Sequence, residues 1–268
     1  MKIIQTSTEL QHAIAKLKLD GLTVGLVPTM GFLHNGHLSL IEACKKQCDV
    51  CIVSIYVNPS QFNESADFES YPKDLNRDIE LLNSVKCDLV WVPTAADIES
   101  VPLDLSYKLD GVDAVLEGEK RPGHFKGVIE VVYRLFKVVN PDQAYFGEKD
   151  FQQLQVISKM VKNNKMNIHV IPVPTTRELD GLAMSSRNVR LSSKERVIAP
   201  ELHALLKKLS SNAGRNFDHA KELLVEKGFE VEYLTQHDFS DGGERLFAAV
   251  KLGSVRLIDN VPLRAILN

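Results

Sequence analysis

Short apolar runs alternate with helical stripes through the first two thirds of the chain. Residues 2–5 read as a strand. Thr6, Ser7 or Thr8 can cap the helix that follows, whose apolar stripe is Leu10, Ile14 and Leu17 and which Asp20-Gly21 ends. Residues 22–27 predict a buried strand, and Leu38, Ile41 and Ala43 carry a helix on to about Lys46. Residues 50–57 are almost unbroken apolar, as expected of a central parallel strand covered on both faces. Further strands are predicted over 88–92, 143–146 and 167–173, with helices over about 74–85, 127–139 and 150–161. Strands alternating with helices mean βαβ units. The expected fold class is therefore α/β, a Rossmann-like parallel sheet with helices on both faces and right-handed crossovers.

After about residue 175 the rhythm changes. Ser192 and Ser193 open a predicted helix running to about Leu209, and a second covers 218–227. Strands are predicted over 230–235, 245–250 and 255–258. We expect a Rossmann-like domain over 1–175 and a smaller C-terminal α+β lid domain over 176–268.

Ligands in open parallel sheets collect at the carboxyl ends of the strands, and most of the polar motifs sit there. Val27-Pro28-Thr29-Met30-Gly31-Phe32-Leu33-His34-Asn35-Gly36-His37 joins the predicted strand at 22–27 to a helix. Such a turn aims free backbone N–H groups and the positive end of a helix at one point, which suits a phosphate. His34 and His37, three apart at the helix start, can face one side and donate to a triphosphate. A surface turn carrying two histidines would look the same, and a zinc site lacks a third ligand nearby.

Asn58-Pro59-Ser60-Gln61-Phe62 leaves two amides at the end of the next strand, suited to a hydroxy acid, although an Asn-Pro turn alone explains the motif. Asp74 is expected to cap the helix after it. Asp78, one turn in, could reach a magnesium ion, a solvated helix face being the plainer reading. Arg121-Pro122-Gly123-His124-Phe125 precedes another helix; Arg121 can hold a carboxylate or phosphate, and His124 can donate from a neutral ring. Phe146-Gly147-Glu148-Lys149-Asp150 again joins strand to helix. Lys149 there offers a mobile point charge for phosphate, Asp150 an acceptor for ribose hydroxyls, and Gln153 follows one turn on. Thr176-Arg177-Glu178-Leu179-Asp180-Gly181-Leu182-Ala183-Met184-Ser185-Ser186-Arg187-Asn188 ends in two hydroxyls and an arginine, a natural phosphate clamp.

Composition narrows the class without changing it. The 268 residues, 44% hydrophobic and 25% charged with a formal net charge of −3, fit a globular protein with no general pull toward nucleic acid. No apolar run is long enough to span a bilayer, and the first residues lack a signal-peptide pattern, so a cytoplasmic protein without membrane partners is expected. Cys44, Cys48, Cys51 and Cys87 match no common zinc spacing and read as small thiols in a reducing compartment.

The form His34-Asn35-Gly36-His37 resembles the His-x-Gly-His signature of the nucleotidyltransferase superfamily, whose members attack the α-phosphate of ATP. Residues 184–188 look like a relative of the Lys-Met-Ser-Lys-Ser loop of class I aminoacyl-tRNA synthetases, without the lysines. Taken together, in order and spacing, His34-Asn-Gly-His37, Asn58-Pro-Ser-Gln61, Gly123-His-Phe125, Phe146-Gly-Glu-Lys-Asp150 and Met184-Ser-Ser-Arg-Asn188 are similar to the pantothenate synthetase (pantoate–β-alanine ligase) family across essentially the whole chain.

The resemblance implies a homodimer that uses ATP and pantoate to form a bound pantoyl adenylate, which β-alanine then converts to pantothenate and AMP. It implies that His34, His37, Lys149, Ser185, Ser186 and Arg187 handle the phosphates. Gly147 and Asp150 would hold the ribose, while Pro28, Thr29, Met30, Thr176 and Met184 border the ATP. Gln61 and Gln153 would bind pantoate, with Met30, Phe62 and Phe146 against its methyl groups. Asn58, Arg121 and His124 would line the same pocket. Attack of one anion on another is slow until charge is neutralised, a task for these cations with Mg2+. Another nucleotidyltransferase would need a cationic acceptor pocket where Asn58, Gln61 and Gln153 stand. A tRNA synthetase would need a basic patch, and a non-catalytic sensor would not need both glutamines beside Lys149.

Overall fold

The computed structural model describes residues 1–212, 214–239 and 243–263. The chain forms two compact units. Met1–Glu148 with Gln152–Pro174 make the first, and Lys149–Phe151 with Thr175–Asn268 the second. The short Lys149–Phe151 piece thus groups with the C-terminal unit, not with the strand that precedes it.

The first unit holds one six-stranded sheet. Its strands are β1 (Lys2–Ile4), β2 (Val24–Thr29), β3 (Val50–Ile55), β4 (Leu89–Trp91), β5 (Gln143–Gly147) and β6 (His169–Val173). They run in the order β1-β4-β3-β2-β5-β6, and every pairing is parallel. Successive residues of a strand face opposite sides, and all six positions of β3 are buried, so both faces are covered. On one face Cys51, Val53 and Ile55 of β3 pack with Ile41 and Cys44 of the Asn35–Gln47 helix and with Leu82 of the Leu75–Ser84 helix. The Ser7–Leu19 and His124–Val139 helices pack on β2 and on each other. The His124–Val139 helix is buried nearly all round, as its apolar sequence Val-Ile-Glu-Val-Val-Tyr-Arg-Leu-Phe requires. From β2 the chain first builds outward through β3 and later returns to the other side of β2 with β5. The crevice beyond the carboxyl ends of β2 and β5 is therefore the switch point where such sheets bind ligands.

The second unit is α+β. Its sheet is antiparallel, with β7 (Glu230–Phe239), β8 (Gly243–Leu252) and β9 (Val255–Pro262) in order. Leu202, Leu206, Ala220 and Leu224 from its helices pack against Leu246, Ala248, Val250 and Leu257. Phe151 joins this unit by its ring, whose centroid lies 6.2 Å from Phe239 and 6.1 Å from Phe247.

Two expectations need correction here. The single helix expected to run to Leu209 is two, Ser193–Ile198 and Glu201–Ser210, because Pro200 has no N–H to continue the first. The last strand does not stop at Ile258 but runs to Pro262, so Asp259 and Asn260 lie inside a sheet. The four cysteines are free and buried.

The helix that carries His34 and His37 sits very close to the sheet, and Gly25 of β2 makes the approach possible. A Cβ there would lie 2.3 Å from the Cys44 Sγ and 3.0 Å from the Cys48 Sγ. Gly25→Ala should therefore cost about 1–3 kcal/mol through overpacking. Adding Cys44→Ala should recover most of that loss in urea denaturation. If Gly25→Ala is as stable as the parent, the helix is not held at that distance.

Candidate active site

The turn after β2 is held from beneath. Gly31 has φ +77° and Phe32 φ +48°, a left-handed pair that a phenylalanine rarely joins. The Asp78 carboxylate, only 1% exposed, pins it. Its Oδ2 accepts from the Phe32 N–H at 2.8 Å and its Oδ1 from the Leu33 N–H at 2.6 Å. Burial pushes the Asp78 carboxyl above its ordinary range, against the pull of the two N–H donors. Arg77, its neighbour, donates to the Leu33 carbonyl at 3.1 Å and lays its guanidinium over the Phe32 ring at 4.8 Å. The Leu75–Ser84 helix thus presses one acid and one base onto one turn, with Asp74 capping its start through the Arg77 N–H.

Above this clamp the two histidines cap their own helix. His34 is the N-cap, and its Nδ1 accepts from the Gly36 N–H at 3.1 Å. His37 sits at the third helical position, and its Nδ1 accepts from the His34 N–H at 3.2 Å. A ring nitrogen that accepts from a backbone N–H carries a lone pair, so each imidazole takes its proton on Nε2. The rings lie 4.1 Å apart. The reciprocal cap commits one nitrogen of each ring to the fold and sets the protonated Nε2 of each at the helix start, beside the sheet's switch point.

The amide motif is built against the start of the His124–Val139 helix. The Asn58 amide donates to the Gly127 carbonyl at 3.1 Å and to the Gln61 Oε1 at 3.3 Å, and its Oδ1 accepts from Ser60 at 3.0 Å. Gly127 permits this, since a Cβ there would lie 2.4 Å from the Ser60 carbonyl oxygen. The Gln61 carbonyl oxygen accepts from His124 Nδ1 at 2.7 Å and from Arg121 Nη2 at 3.2 Å, while Arg121 Nη1 lies 3.1 Å from His124 Nε2 and 3.6 Å from a Glu117 oxygen. An arginine can only donate, so His124 holds its proton on Nδ1. The Gln61 side chain remains half-buried and touches the Met30 Sδ at 2.9 Å. Phe62 is set edge-on to Phe68 and Tyr71, and Phe146 packs on Phe136. Gln153 is half-buried on the Phe151–Asn163 helix. Asn58, Arg121 and His124 thus use their polar groups to hold Gln61.

The second unit carries the other candidates. Lys149 is 3.6 Å from Asp150, its side chain only 19% exposed. Thr176 and Met184 face each other across a small hairpin, where the Met184 N–H donates to the Thr176 carbonyl at 3.1 Å and Arg177 bridges Ala183. The hairpin delivers the chain into a 3-10 turn, Ser186–Arg190, capped by Ser185, whose Oγ accepts from the Arg187 N–H at 3.3 Å. Ser186 is buried. Lys149, Ser185, Asn188, His203 and Asp259 line one cavity with an apolar floor that includes Leu182 and Leu257.

The plainer expectation for Asp78, a solvated helix face, is corrected by this geometry: the carboxylate is buried, and both of its oxygens accept from backbone N–H groups of the turn after β2. Among the described residues, no group of three or more His, Cys, Asp and Glu side chains is placed to hold a metal ion. Sequence reasoning missed Arg77, Asp259 and Asn260. A polar dipeptide inside the otherwise largely apolar run Val-Arg-Leu-Ile-Asp-Asn-Val-Pro was the available signal, but Asp-Asn also reads as a turn.

A Rossmann-like parallel sheet with a histidine-capped helix at its switch point, carrying His34-Asn-Gly-His37, has the architecture of the His-x-Gly-His nucleotidyltransferases. Residues 2–262 match the family model described as pantoate-beta-alanine ligase. The chain is 41% identical to the pantothenate synthetase of Acetivibrio thermocellus, over 97% of this chain and 99% of that protein. It is 42% identical to that of Rhizorhabdus wittichii, over 97% and 98%. Among solved structures, the pantothenate synthetase of Thermus thermophilus superposes with a TM-score of 0.87 at 37% identity, covering 99% of this chain and 100% of that one. The pantoate-beta-alanine ligase of Francisella tularensis, in complex with beta-gamma ATP and beta-alanine, does so with 0.89 at 36% identity, covering 99% and 98%. The chain belongs to the pantoate–β-alanine ligase family.

Removing the Asp78 carboxylate would strand the Leu33 N–H, on a residue with no exposed surface. Asp78→Ala should cost about 1–3 kcal/mol for that donor. Hydrogen exchange at the Leu33 amide should accelerate while the amides of β3 stay protected. Unchanged protection at Leu33 would mean the clamp does not hold the turn.

Proposed function

We propose that this protein condenses pantoate with β-alanine, driven by cleavage of ATP, through a pantoyl adenylate, releasing pyrophosphate and then AMP. The observation that carries the reading is the reciprocal histidine cap, which fixes two Nε2–H donors at the switch point of the sheet. Family membership supplies the substrates that such donors serve.

In the first step a carboxylate oxygen of pantoate attacks the α-phosphorus, and the bond to the bridging oxygen breaks. His34 and His37 donate to phosphate oxygens, and Lys149, Ser185, Ser186 and Arg187 meet the charge that grows on the departing pyrophosphate. Mg2+ bound with the nucleotide would supply further positive charge against the phosphates. Pro28, Thr29, Met30, Thr176 and Met184 border the nucleotide, with Gly147 and Asp150 at the ribose. Gln61 and Gln153 hold pantoate, whose methyl groups lie against Met30, Phe62 and Phe146. Asn58, Arg121 and His124 act on the substrate through Gln61. In the second step the free amine of β-alanine attacks the acyl carbon, the bond to AMP breaks, and the amine proton passes to solvent. The acyl phosphate is reactive enough that a strong base is not required.

Residues 176–268 serve as the lid in this reading, and the working form is a cytoplasmic homodimer; both rest on the family resemblance and the sequence. No described helix is long and apolar enough to cross a membrane.

A coupled assay for AMP tests the function: AMP should form only when ATP, pantoate and β-alanine are all present. Lys149→Ala should slow it roughly 10²–10³-fold, the range for one preorganised donor. The fold should persist, since the ion-pair partner of the ammonium is the half-exposed Asp150. AMP formed without pantoate, or a fully active Lys149→Ala enzyme, would contradict this assignment.

A further inference from the structure

We propose that Asp259 and Asn260, adjacent on β9, are positioning residues that set the geometry of Lys149 and of the turn bearing Ser185, Ser186 and Arg187. The proposal rests on the reading of those residues as phosphate ligands, and it adds a part of the protein that makes no contact with phosphate itself.

Successive residues on a strand point to opposite faces, so a dipeptide can serve two partners at once. Asp259 takes the hairpin. Its Oδ2 accepts from Arg177 Nη1 at 2.7 Å and its Oδ1 from Arg177 Nη2 at 2.9 Å, a two-toothed pair. His203 Nδ1 lies 3.1 Å from the same Oδ2. Arg177 stands at the foot of the hairpin that leads into Ser185, where it bridges Ala183 and donates to the Gly181 carbonyl at 3.2 Å. Burial alone would push the Asp259 carboxyl up, but hydrogen bonds from His203 and Arg177 outweigh it and hold it below the usual carboxylate range.

Asn260 takes the lysine segment. Its Nδ2 donates to the Lys149 carbonyl oxygen at 3.0 Å, across 111 residues of chain. Its Oδ1 accepts from Arg245 Nε at 2.7 Å, and the Arg245 guanidinium lies 4.1 Å over the Phe151 ring. Lys149 and Phe151 are thereby fastened to β8 and β9 at both ends of a three-residue piece. The Asn260 N–H also donates to Asp259 Oδ1 at 2.8 Å, which links the two anchors. Both anchored segments reach one cavity, where Lys149, Ser185 and Asp259 are all lining residues.

A sheet core does not need these groups. Leu257 and Val261, their neighbours on β9, are buried and apolar. Burying a carboxylate opposes folding unless its partners are well placed, so a purely structural position would favour an apolar residue. What the dipeptide supplies is a fixed distance between a lysine and a hydroxyl–arginine turn, and displacements of about 1 Å are enough to slow a positioned reaction.

The test is steady-state AMP formation with ATP and pantoate varied separately, with thermal melting of each variant. Asn260→Asp keeps the size and the Arg245 contact but turns an acceptor toward the Lys149 carbonyl. It should lower the melting temperature, because a buried carboxylate then faces a carbonyl oxygen, and it should lower kcat roughly 10- to 100-fold at temperatures where the variant is still folded, with the KM for pantoate unchanged. Asp259→Asn should likewise lower kcat and raise the KM for ATP. Leu224→Ala, which opens a cavity in the same core without touching the network, should lower the melting temperature and leave kcat alone. The proposal is overturned if Asn260→Asp and Asp259→Asn keep kcat within about twofold, or if Leu224→Ala loses as much kcat as they do for a similar fall in melting temperature. Lys149→Ala, measured alongside, separates two failures. An active Lys149→Ala enzyme overturns the reading of the site and this proposal with it. A crippled Lys149→Ala enzyme beside a fully active Asn260→Asp enzyme overturns this proposal alone.

Discussion

A buried carboxylate under a strained turn is the contact on which the first unit's chemistry depends. The turn after β2 must pass through two left-handed residues, one of them a phenylalanine, before it can begin a helix. Left to itself such a turn would sample other shapes. Asp78 accepts two consecutive N–H groups there, and Arg77 closes the opposite side through a carbonyl and a ring. Only then do the next residues arrive in the right place for His34 and His37 to cap each other's backbone. The cap in turn decides which ring nitrogen carries a proton. A chain of local constraints, each weak by itself, ends in two donors whose direction is fixed before any ligand arrives, which is how preorganised sites avoid reorienting during reaction.

The same logic recurs at the other polar sites with different chemistry. Gln61 is held by its main-chain carbonyl, with His124 and Arg121 doing the holding, while its side-chain amide lies between Asn58 and the Met30 sulfur. Lys149 is held by its main-chain carbonyl too, through Asn260. In both cases the residue that meets substrate in our reading is fixed through its backbone by a neighbour of different type. Glycines make the close approaches possible at Gly25 and Gly127, where a Cβ would collide with a thiol or a carbonyl.

The alternation of apolar runs and helical stripes made the parallel sheet legible, because strands buried on both faces must be apolar throughout, as β3 is. The strand–turn–helix around His34 was legible for the same reason. What could not be read was the use of each polar side chain. Asp78 looked like a free carboxylate on a helix face, since nothing local says that a turn 45 residues earlier will bring two N–H groups to it. Asn58 looked like a ligand amide, yet its polar atoms are satisfied by Gly127, Gln61 and Ser60. Asp259-Asn260 resembled a turn because such residues favour turns, and only long-range partners from Arg177, His203 and Arg245 make them tolerable within a strand. Pro200, by contrast, was a purely local signal that the helical pattern on either side obscured.

In the proposed reaction the acid is activated before the amine takes part. Exchange of labelled pyrophosphate into ATP measures this directly. With Mg2+, ATP and pantoate but no β-alanine, the enzyme should exchange label, because adenylate formation is reversible while the intermediate stays bound, and exchange should vanish when pantoate is left out. Exchange that appears only after β-alanine is added would contradict the claim and require a single concerted step with all three substrates.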